Sequence, residues 1–337
     1  MKAVAYYQSL PSSDPQSLQD IELPAPTPGP RDLLVAVRAI SVNPVDTKIR
    51  SNVAPADGQA KVLGWDVAGV VQAVGSAVSL FKVGDEVFYA GALQRQGGNS
   101  ELHVVDERIV GHKPRSLGFA EAAALPLTAI TAWELLFERL KIAEGSASNG
   151  QSLLIIGAAG GVGSILTQLA RQLTGLTVIG TASRPETADW VRQLGAHHVI
   201  DHSQPLLPQL QQLGIQQVNH VASLTHTDQH YDQLIEALAP QGQLALIDDP
   251  AQLDVVKLKR KSLSLHWEFM YTRSLFETPD MQAQHALLER VAQLIDAGTL
   301  HTTLGEHFGS INANNLRRAH TLLESGKARG KIVLEGF

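Results

Sequence analysis

The fold is decided by the stretch Ser152-Leu153-Leu154-Ile155-Ile156-Gly157-Ala158-Ala159-Gly160-Gly161-Val162-Gly163-Ser164. Its first half is a continuous apolar run, which is typical of a strand buried on both faces of a parallel sheet. Its second half is a glycine-rich turn, after which apolar residues recur at helical spacing as far as Leu173. The stretch therefore predicts a buried strand, a tight turn and a helix that packs on the strand.

The glycines of this turn suit a bound pyrophosphate. A side chain at Gly160 or Gly163 would obstruct the phosphates or hold the helix away from the sheet. The helix N-terminus also supplies N–H donors and the positive end of the helix dipole. We therefore predict a dinucleotide site in which Gly160, Gly161, Val162 and Gly163 contact the cofactor. The first glycine of the usual G-x-G-x-x-G pattern is replaced by Ala158, and the alternative is a parallel-sheet protein whose glycines only permit close packing.

The composition is that of an ordinary globular protein, and 337 residues are enough for two domains. Hydrophobic residues make up 44%, charged residues 18%, and the formal charge is −6, so no basic surface for nucleic acid is indicated. The start of the chain, Met1 to Tyr7, predicts an immediate strand, and no uninterrupted apolar run is long enough to span a bilayer. We expect a cytoplasmic protein with neither a nucleic acid nor a membrane as partner.

Two kinds of sequence divide the chain. In the first third, short apolar segments alternate with Gly and Pro turns, which is typical of a barrel-like β domain. After Gly150, strands and helices alternate, which predicts a doubly wound parallel sheet whose last strand lies over 262–269. The tail returns to the first style, so we predict an α/β protein with a discontinuous domain, 1–123 and 271–337, and a dinucleotide-binding domain, 124–270. Ligands are expected at the carboxyl ends of the parallel strands, between the domains.

The residues after the second strand of this sheet indicate which dinucleotide binds. An NAD site usually carries Asp or Glu about 20 residues past the glycines, whereas this strand ends without a carboxylate at its tip. Ser183 can donate a hydrogen bond from its hydroxyl group, and the charged guanidinium of Arg184 can donate two. Such donors suit a 2′-phosphate. We therefore predict NADPH rather than NADH. The alternative is that Arg184 is a surface residue before the helix that begins near Pro185.

Several further motifs, in their order along the chain, carry a resemblance to a known family. They are Ser41-Val42-Asn43-Pro44-Val45-Asp46, Leu63-Gly64-Trp65-Asp66-Val67-Ala68-Gly69, Gly84-Asp85-Glu86-Val87, Ala124-Leu125-Pro126-Leu127-Thr128-Ala129 and Gly330-Lys331-Ile332-Val333-Leu334. With the glycine turn, they resemble the medium-chain dehydrogenase/reductase superfamily, and within it the zinc-independent quinone oxidoreductases and the branch labelled zinc-type alcohol dehydrogenase-like. The resemblance implies a GroES-like β-barrel catalytic domain and a Rossmann domain that binds NADP(H).

The places of the family's catalytic zinc ligands are filled by other residue types. Zinc-dependent members use a cysteine and the histidine of a Gly-His-Glu segment, where this chain carries Asn43 and Trp65. Because the chain has no cysteine, it cannot form the thiolate site that polarises an alcohol. His226 and His230 are four residues apart but lack the glutamate of a metalloprotease motif and an obvious third ligand. We predict no metal.

Without a metal, the hydride acceptor depends on alignment with NADPH and on hydrogen-bond donors that stabilise charge on its oxygen. Quinones suit this chemistry, and activated alkenes additionally need a proton at the α-carbon. We therefore predict an NADPH-dependent, zinc-independent reductase of quinones or α,β-unsaturated carbonyls. The alternative, from another class, is a nucleotide-binding redox sensor or crystallin-like protein without physiological turnover.

The resemblance implies that Asn43 and Asp46 line the nicotinamide end of the site. Asn43 would offer amide donors to the substrate or cofactor, or would instead cap the turn before Pro44. Asp46 is expected to be a hydrogen-bond acceptor rather than a base. Thr128 is a candidate contact for the nicotinamide ribose or phosphates, unless its hydroxyl satisfies a helix carbonyl. Lys331 is a further candidate for cofactor binding.

Two aromatic residues are candidates for an apolar wall against a flat substrate ring. Trp65 occupies the former metal-ligand place, and Phe269 ends the last strand of the sheet, although aromatic residues at such positions often belong to the core. The strand over 262–269 would lie at the edge of the sheet, where an unpaired strand tends to find a partner. We therefore predict a homodimer.

Overall fold

The computed structural model describes residues 1–56, 58–147 and 150–337. It divides into two compact units: unit 1 is Met1–Ile130 with Tyr271–Phe337, and unit 2 is Thr131–Met270. The first division falls after Ile130, whereas the sequence places the domain boundary at residue 123. The stretch between them groups with unit 1, in which the backbone N–H of Leu127 donates to buried Asp66 at 2.7 Å.

The first segment of unit 1 is built mainly from strands. The strands are β1 (Lys2–Tyr6), β2 (Gln19–Glu22), β3 (Asp32–Val42), β4 (Lys61–Val62), β5 (Val67–Val74), β6 (Glu86–Tyr89), β7 (Leu102–Asp106) and β8 (Val110–His112). The helices are α1 (Pro44–Asn52), α2 (Phe119–Ala123) and α3 (Pro126–Trp133), the last of which crosses the division between the units. The long strand β3 is central, because β5 and β7 both pair with it antiparallel. Gly69 permits this pairing, since a Cβ there would lie 2.7 Å from Cγ1 of Val35.

Unit 2 alternates strands and helices. Its elements are β9 (Ser152–Ile156), α4 (Gly161–Leu173), β10 (Thr177–Thr181), α5 (Pro185–Gln193), β11 (His198–Ile200), α6 (Leu206–Gln212), β12 (Val218–Ser223), α7 (Thr227–Ala237), β13 (Leu238–Leu246) and β14 (Ser264–Trp267). The strands form one parallel sheet in the order β11-β10-β9-β12-β13-β14. All five residues of β9 are buried, as its apolar run predicts. The doubly wound parallel sheet is confirmed, with β14 at its edge.

The tail returns to unit 1. It contains α8 (Thr272–Phe276), α9 (Ala283–Asp296), β15 (Leu304–His307), α10 (Ala313–Glu324) and β16 (Lys331–Glu335). Strand β16 pairs antiparallel with β3, with Val333 opposite Ser41, so that the larger sheet of unit 1 runs β15-β16-β3-β5-β6-β8 with β7 attached to β3. A smaller sheet runs β2-β1-β4. The β-rich GroES-like architecture predicted for this part of the chain is confirmed.

One helical stretch of the chain bears on the expectation about apolar length. Among the described residues, the helical stretch Phe119–Arg139 is long and apolar enough by composition to cross a membrane. Within its most apolar window, 78% of the residues are buried inside the protein. The stretch is also interrupted after Ala123 and changes to π-helical geometry at Glu134. The stretch is therefore a buried helix of the protein core.

Candidate active site

The glycine turn of unit 2 links β9 to α4. Gly157 has a φ of +78°, a left-handed conformation that favours glycine, and its N–H donates to Oγ1 of Thr181 in β10 at 3.2 Å. Helix α4 begins at Gly161 with Gly160 as its N-cap, and no side chain in the described part of the chain caps it. The first N–H groups of an α-helix have no partner inside the helix. The turn therefore presents an uncapped helix N-terminus at the carboxyl end of the central strand.

The space around the turn explains which of its positions must be glycine. A Cβ on Gly163 would lie 2.6 Å from Cα of Ala158, so any side chain there would push α4 away from the turn. A Cβ on Gly160 would meet only the carbonyl oxygen of Gly157, at 3.4 Å. Ala158, which replaces the first glycine of the usual pattern, is fully buried. Its methyl group faces Gly180 in the protein interior. The donors and space fit a phosphate group of a dinucleotide.

The end of β10 carries the pair predicted to select the cofactor. Ser183 is exposed, and Arg184 is partly exposed at the N-cap of α5. Nε of Arg184 lies 3.3 Å from Oε1 of Glu186, in the first turn of that helix. A 2′-phosphate at this place would therefore compete with a carboxylate for the guanidinium.

In unit 1, a buried cluster of polar side chains surrounds Asp66. Oδ2 of Asp66 accepts hydrogen bonds from Oγ of Ser41 at 2.8 Å, Nδ2 of Asn43 at 2.7 Å and Nζ of Lys331 at 2.9 Å. Oδ1 accepts the backbone N–H of Leu127 at 2.7 Å. Asp66 has no solvent exposure. A buried carboxylate is tolerated when it is paired and fully hydrogen-bonded, and both conditions are met here.

Both polar atoms of the Asn43 side-chain amide make hydrogen bonds. Its Nδ2 donates to Asp66, and its Oδ1 accepts a hydrogen bond from Lys331. Asn43 is the N-cap residue of α1, which is the alternative role weighed for it, and the carboxylate of Asp46 in the first turn of α1 accepts its backbone N–H at 2.7 Å. The amide is therefore fixed by two charged neighbours inside unit 1.

Asp46 is buried within the same unit and accepts two backbone N–H groups. One comes from Asn43, and the other comes from Gly64 at 2.9 Å. Burial raises the pKa of Asp46 to about 7, although both hydrogen bonds and the Lys331 ammonium act to lower it. These contacts agree with the expectation of an acceptor that orders the loop around Asn43 and Gly64.

Lys331 and Thr128, both predicted to contact the cofactor, have their polar groups occupied within unit 1. The ammonium of Lys331 has three donors, and it contacts three acceptors: the carbonyl oxygen of Val42 at 3.1 Å, Oδ1 of Asn43 and Oδ2 of Asp66. Oγ1 of Thr128 donates to the carbonyl oxygen of Leu125 at 3.1 Å, which is the alternative weighed for it. The structure therefore places both side chains in internal hydrogen bonds rather than at an open ligand surface.

The two aromatic candidates differ in exposure. Trp65 is buried inside unit 1, and its Nε1 donates to the carbonyl oxygen of Ala92 at 3.3 Å, so the structure corrects its expected role as an open wall. Phe269 in unit 2 is 50% exposed. Asp66 and Ser41 were not predicted as site residues, although both lie in motifs that carry the family resemblance.

The prediction that no metal binds concerns the side chains that could act as metal ligands. Among the described residues, no group of three or more His, Cys, Asp and Glu side chains is arranged to hold a metal ion. His226 precedes the first turn of α7, where its Nδ1 pairs with Oγ1 of Thr225 at 2.7 Å.

The two units define the class of protein. A β-rich, GroES-like unit and a parallel-sheet unit with an uncapped glycine turn are the architecture of the two-domain medium-chain dehydrogenases and reductases. Residues 29–133 match the family described as alcohol dehydrogenase GroES-like domain, and residues 194–334 match the family described as zinc-binding dehydrogenase.

Individual relatives agree. A zinc-type alcohol dehydrogenase-like protein of Staphylococcus aureus is 41% identical over 99% of both chains, and a quinone oxidoreductase of Pseudomonas aeruginosa is 34% identical over 95% of this chain and 96% of its own. Two solved structures also match. A Rhizobium etli protein whose name places it among zinc-dependent alcohol dehydrogenases is 56% identical, with a TM-score of 0.96 over 100% of this chain and 98% of its own. A mycobacterial protein solved with NADPH is 28% identical, with a TM-score of 0.83 over 99% of both chains. The chain belongs to the medium-chain dehydrogenase/reductase superfamily and is an oxidoreductase of that superfamily.

Proposed function

We propose that the protein is an NADPH-dependent oxidoreductase that reduces a small quinone or α,β-unsaturated carbonyl compound without a metal. One observation carries the proposal: the uncapped N-terminus of α4 lies beside a strand, β10, whose end carries Ser183 and Arg184 and no carboxylate at its tip. The quinone oxidoreductase of Pseudomonas aeruginosa supports the class of acceptor, and the mycobacterial complex with NADPH supports the cofactor.

Residues of unit 2 would hold the cofactor. The backbone N–H groups of Gly160, Gly161, Val162 and Gly163 would bind the pyrophosphate, while Ser183 and Arg184 would bind the 2′-phosphate. The bound cofactor supplies the hydride. The contribution of the chain is to hold the cofactor in a fixed orientation and to exclude water from the place of transfer.

Residues of unit 1 would position groups rather than transfer protons. The charges of Asp66 and Lys331 fix the amide of Asn43, and Asp46 fixes the backbone at the start of α1. Because such groups are already in position, no free energy is spent on moving them during the reaction. Phe269, with its partly exposed ring, is the residue proposed to contact a flat substrate.

The residues at the family's metal-ligand places support the metal-free part of the proposal. Asn43 is hydrogen-bonded on both sides, Trp65 is buried, and the chain contains no cysteine. A thiolate-based zinc site therefore has no ligand at either place. The word zinc in the names of relatives describes those proteins.

The exposed edge of the sheet supports a homodimer. Among the described strands, β14 pairs with β13 alone; Trp267, its last residue, is 52% exposed, and Phe269, which follows, is 50% exposed. An edge strand with exposed aromatic residues is suited to pairing with a second copy of itself. Sedimentation of the purified protein should give the mass of two chains, and a monomer at all concentrations would contradict this assignment.

Stopped-flow measurements test the proposed reaction. Purified protein is mixed with NADPH and a series of quinones and enones, and the loss of NADPH absorbance is followed with and without a metal chelator. We expect oxidation by at least one acceptor class, unchanged by the chelator. If NADPH binds tightly and no acceptor oxidises it, the protein is the nucleotide-binding protein without turnover described above, and the proposal is wrong.

A further inference from the structure

Two hydroxyl groups and a carboxylate of unit 2 form a chain of hydrogen bonds at the carboxyl ends of β12 and β13. Ser223 is the last residue of β12, Thr227 is the first residue of α7, and Asp248 lies two residues beyond the end of β13. Oγ of Ser223 lies 2.7 Å from Oγ1 of Thr227, which lies 2.5 Å from Oδ1 of Asp248. The backbone N–H of Thr227 donates to Oδ2 of the same carboxylate at 2.8 Å. Ser223 and Thr227 are fully buried.

Asp248 fixes the direction of this chain. A carboxylate only accepts hydrogen bonds, so the hydroxyl of Thr227 donates to it. That hydroxyl has one proton, so the hydroxyl of Ser223 in turn donates to Thr227. The carboxylate also lies at the N-terminus of α7, where the helix dipole stabilises a negative charge. Asp248 therefore orders both hydroxyl groups from the neighbouring strand.

The chain closes a short loop. Ser223 and Thr227 flank residues 224–226, and the hydrogen bond between their hydroxyls joins the two ends of this 224–226 loop. Within the loop, His226 has a φ of +51°, a left-handed conformation that costs free energy for a residue with a side chain. Such a conformation persists where the surrounding contacts hold it. Asp248 supplies two of these contacts, because it accepts both donors of Thr227, the next residue.

The 224–226 loop borders the glycine turn. The backbone N–H of Leu224 donates to the carbonyl oxygen of Ile156, at the end of β9, at 3.3 Å. A Cβ on Gly157 would lie 3.0 Å from Cγ2 of Thr225. The loop therefore packs against the turn at which the pyrophosphate is proposed to bind.

We propose that Asp248 is a positioning residue for the dinucleotide, because through Thr227 and Ser223 it holds the 224–226 loop in place against the glycine turn. This inference rests on the proposed function, since it assigns the loop to the same cofactor site. The turn is expected to bind the pyrophosphate, which NADPH and NADH share. Loss of the chain should therefore weaken both cofactors to the same extent, whereas Arg184 acts on the 2′-phosphate that only NADPH carries.

Calorimetric titration of both cofactors tests the role of Asp248. D248A removes the acceptor of two hydrogen bonds, so we expect the dissociation constants of NADPH and NADH to rise alike, by about tenfold or more. D232A is the matched control, because Asp232 lies on α7 with a side chain that is 73% exposed and pairs with Lys257 at the surface. It should leave both dissociation constants unchanged.

A second pair of variants separates positioning from stability. T227V removes the hydroxyl in the middle of the chain and should weaken both cofactors, whereas T227S keeps that hydroxyl and should bind both with the wild-type affinity. Each variant is titrated at a temperature at which its denaturation curve shows it to be folded. If D248A does not fold, the comparison of T227V with T227S decides the question.

Three results would be informative in different ways. Wild-type affinity for both cofactors in folded D248A and T227V would overturn the proposal, since the chain would then serve stability alone. A loss confined to NADPH would also contradict it. The proposed reaction fails separately if the wild type binds both cofactors, D248A binds both weakly, and no acceptor oxidises NADPH. A wild-type protein that binds neither cofactor would reject the proposed function and this inference together.

Discussion

Nζ of Lys331 lies 2.9 Å from Oδ2 of Asp66, and both side chains are buried although 265 residues separate them in the chain. The pair joins β16, at the end of the chain, to the loop before β5. Asn43 and Ser41 complete the contacts around Asp66. The last strand of the protein therefore supplies the charge that permits a buried carboxylate in the first segment of unit 1.

Replacing Lys331 tests this relationship. Lys331→Met leaves the Asp66 charge buried without its partner, so we expect the free energy of unfolding to fall by about 3–5 kcal/mol. Chemical denaturation measures the change. Lys82→Met, at an exposed lysine of the same unit, should change stability by less than about 0.5 kcal/mol. A loss at Lys331 no larger than that at Lys82 would show that the buried pair contributes nothing.

Substitutions in the glycine turn should show that Gly163 is needed for packing and Gly160 for cofactor binding. Gly163→Ala places its methyl group against Ala158, so we expect a loss of about 1–3 kcal/mol in the free energy of unfolding. The methyl group introduced by Gly160→Ala would lie near only one atom, the carbonyl oxygen of Gly157 at 3.4 Å, so the free energy of unfolding should fall much less. The same methyl group should weaken NADPH binding. Denaturation and calorimetric titration measure the two effects. Undiminished affinity in Gly160→Ala would contradict a phosphate at this position.

The end of β10 should control the choice of cofactor. Arg184→Ala should weaken NADPH by about tenfold or more and NADH little, because only NADPH carries the 2′-phosphate. Glu186→Gln should strengthen NADPH binding, since it removes the carboxylate 3.3 Å from Nε of Arg184. Arg192→Ala, at an exposed arginine later in α5, serves as the control. Equal losses of NADPH and NADH in Arg184→Ala would rule out the 2′-phosphate contact.

Asp46 should make unit 1 less stable as the pH rises. Its pKa is about 7 in the folded protein, above the ordinary value of about 3.9, so the native state binds a proton that the unfolded chain releases. This contribution is complete below about pH 4 and is lost as the pH rises through about 7. Relative to Asp46→Asn, the wild type should lose a few kcal/mol of unfolding free energy across that range. Asp189→Asn, at an exposed aspartate, should leave the wild-type slope unchanged.

The sequence alone determined the parallel sheet and the glycine turn, because their signals are local. An apolar run predicts that β9 is buried, and Gly157, Gly160 and Gly163 indicate a turn that leads into a helix. The alternation of strands and helices then predicts the doubly wound topology. These features depend on residues close together in the chain, so periodicity and turn chemistry are sufficient to find them.

Only the tertiary structure decided what the polar residues contact. The motifs containing Asn43, Asp66 and Lys331 are visible in the sequence, but their mutual hydrogen bonds depend on β16 pairing with β3. Trp65 and Lys331 were expected at a ligand surface, and packing placed both inside unit 1.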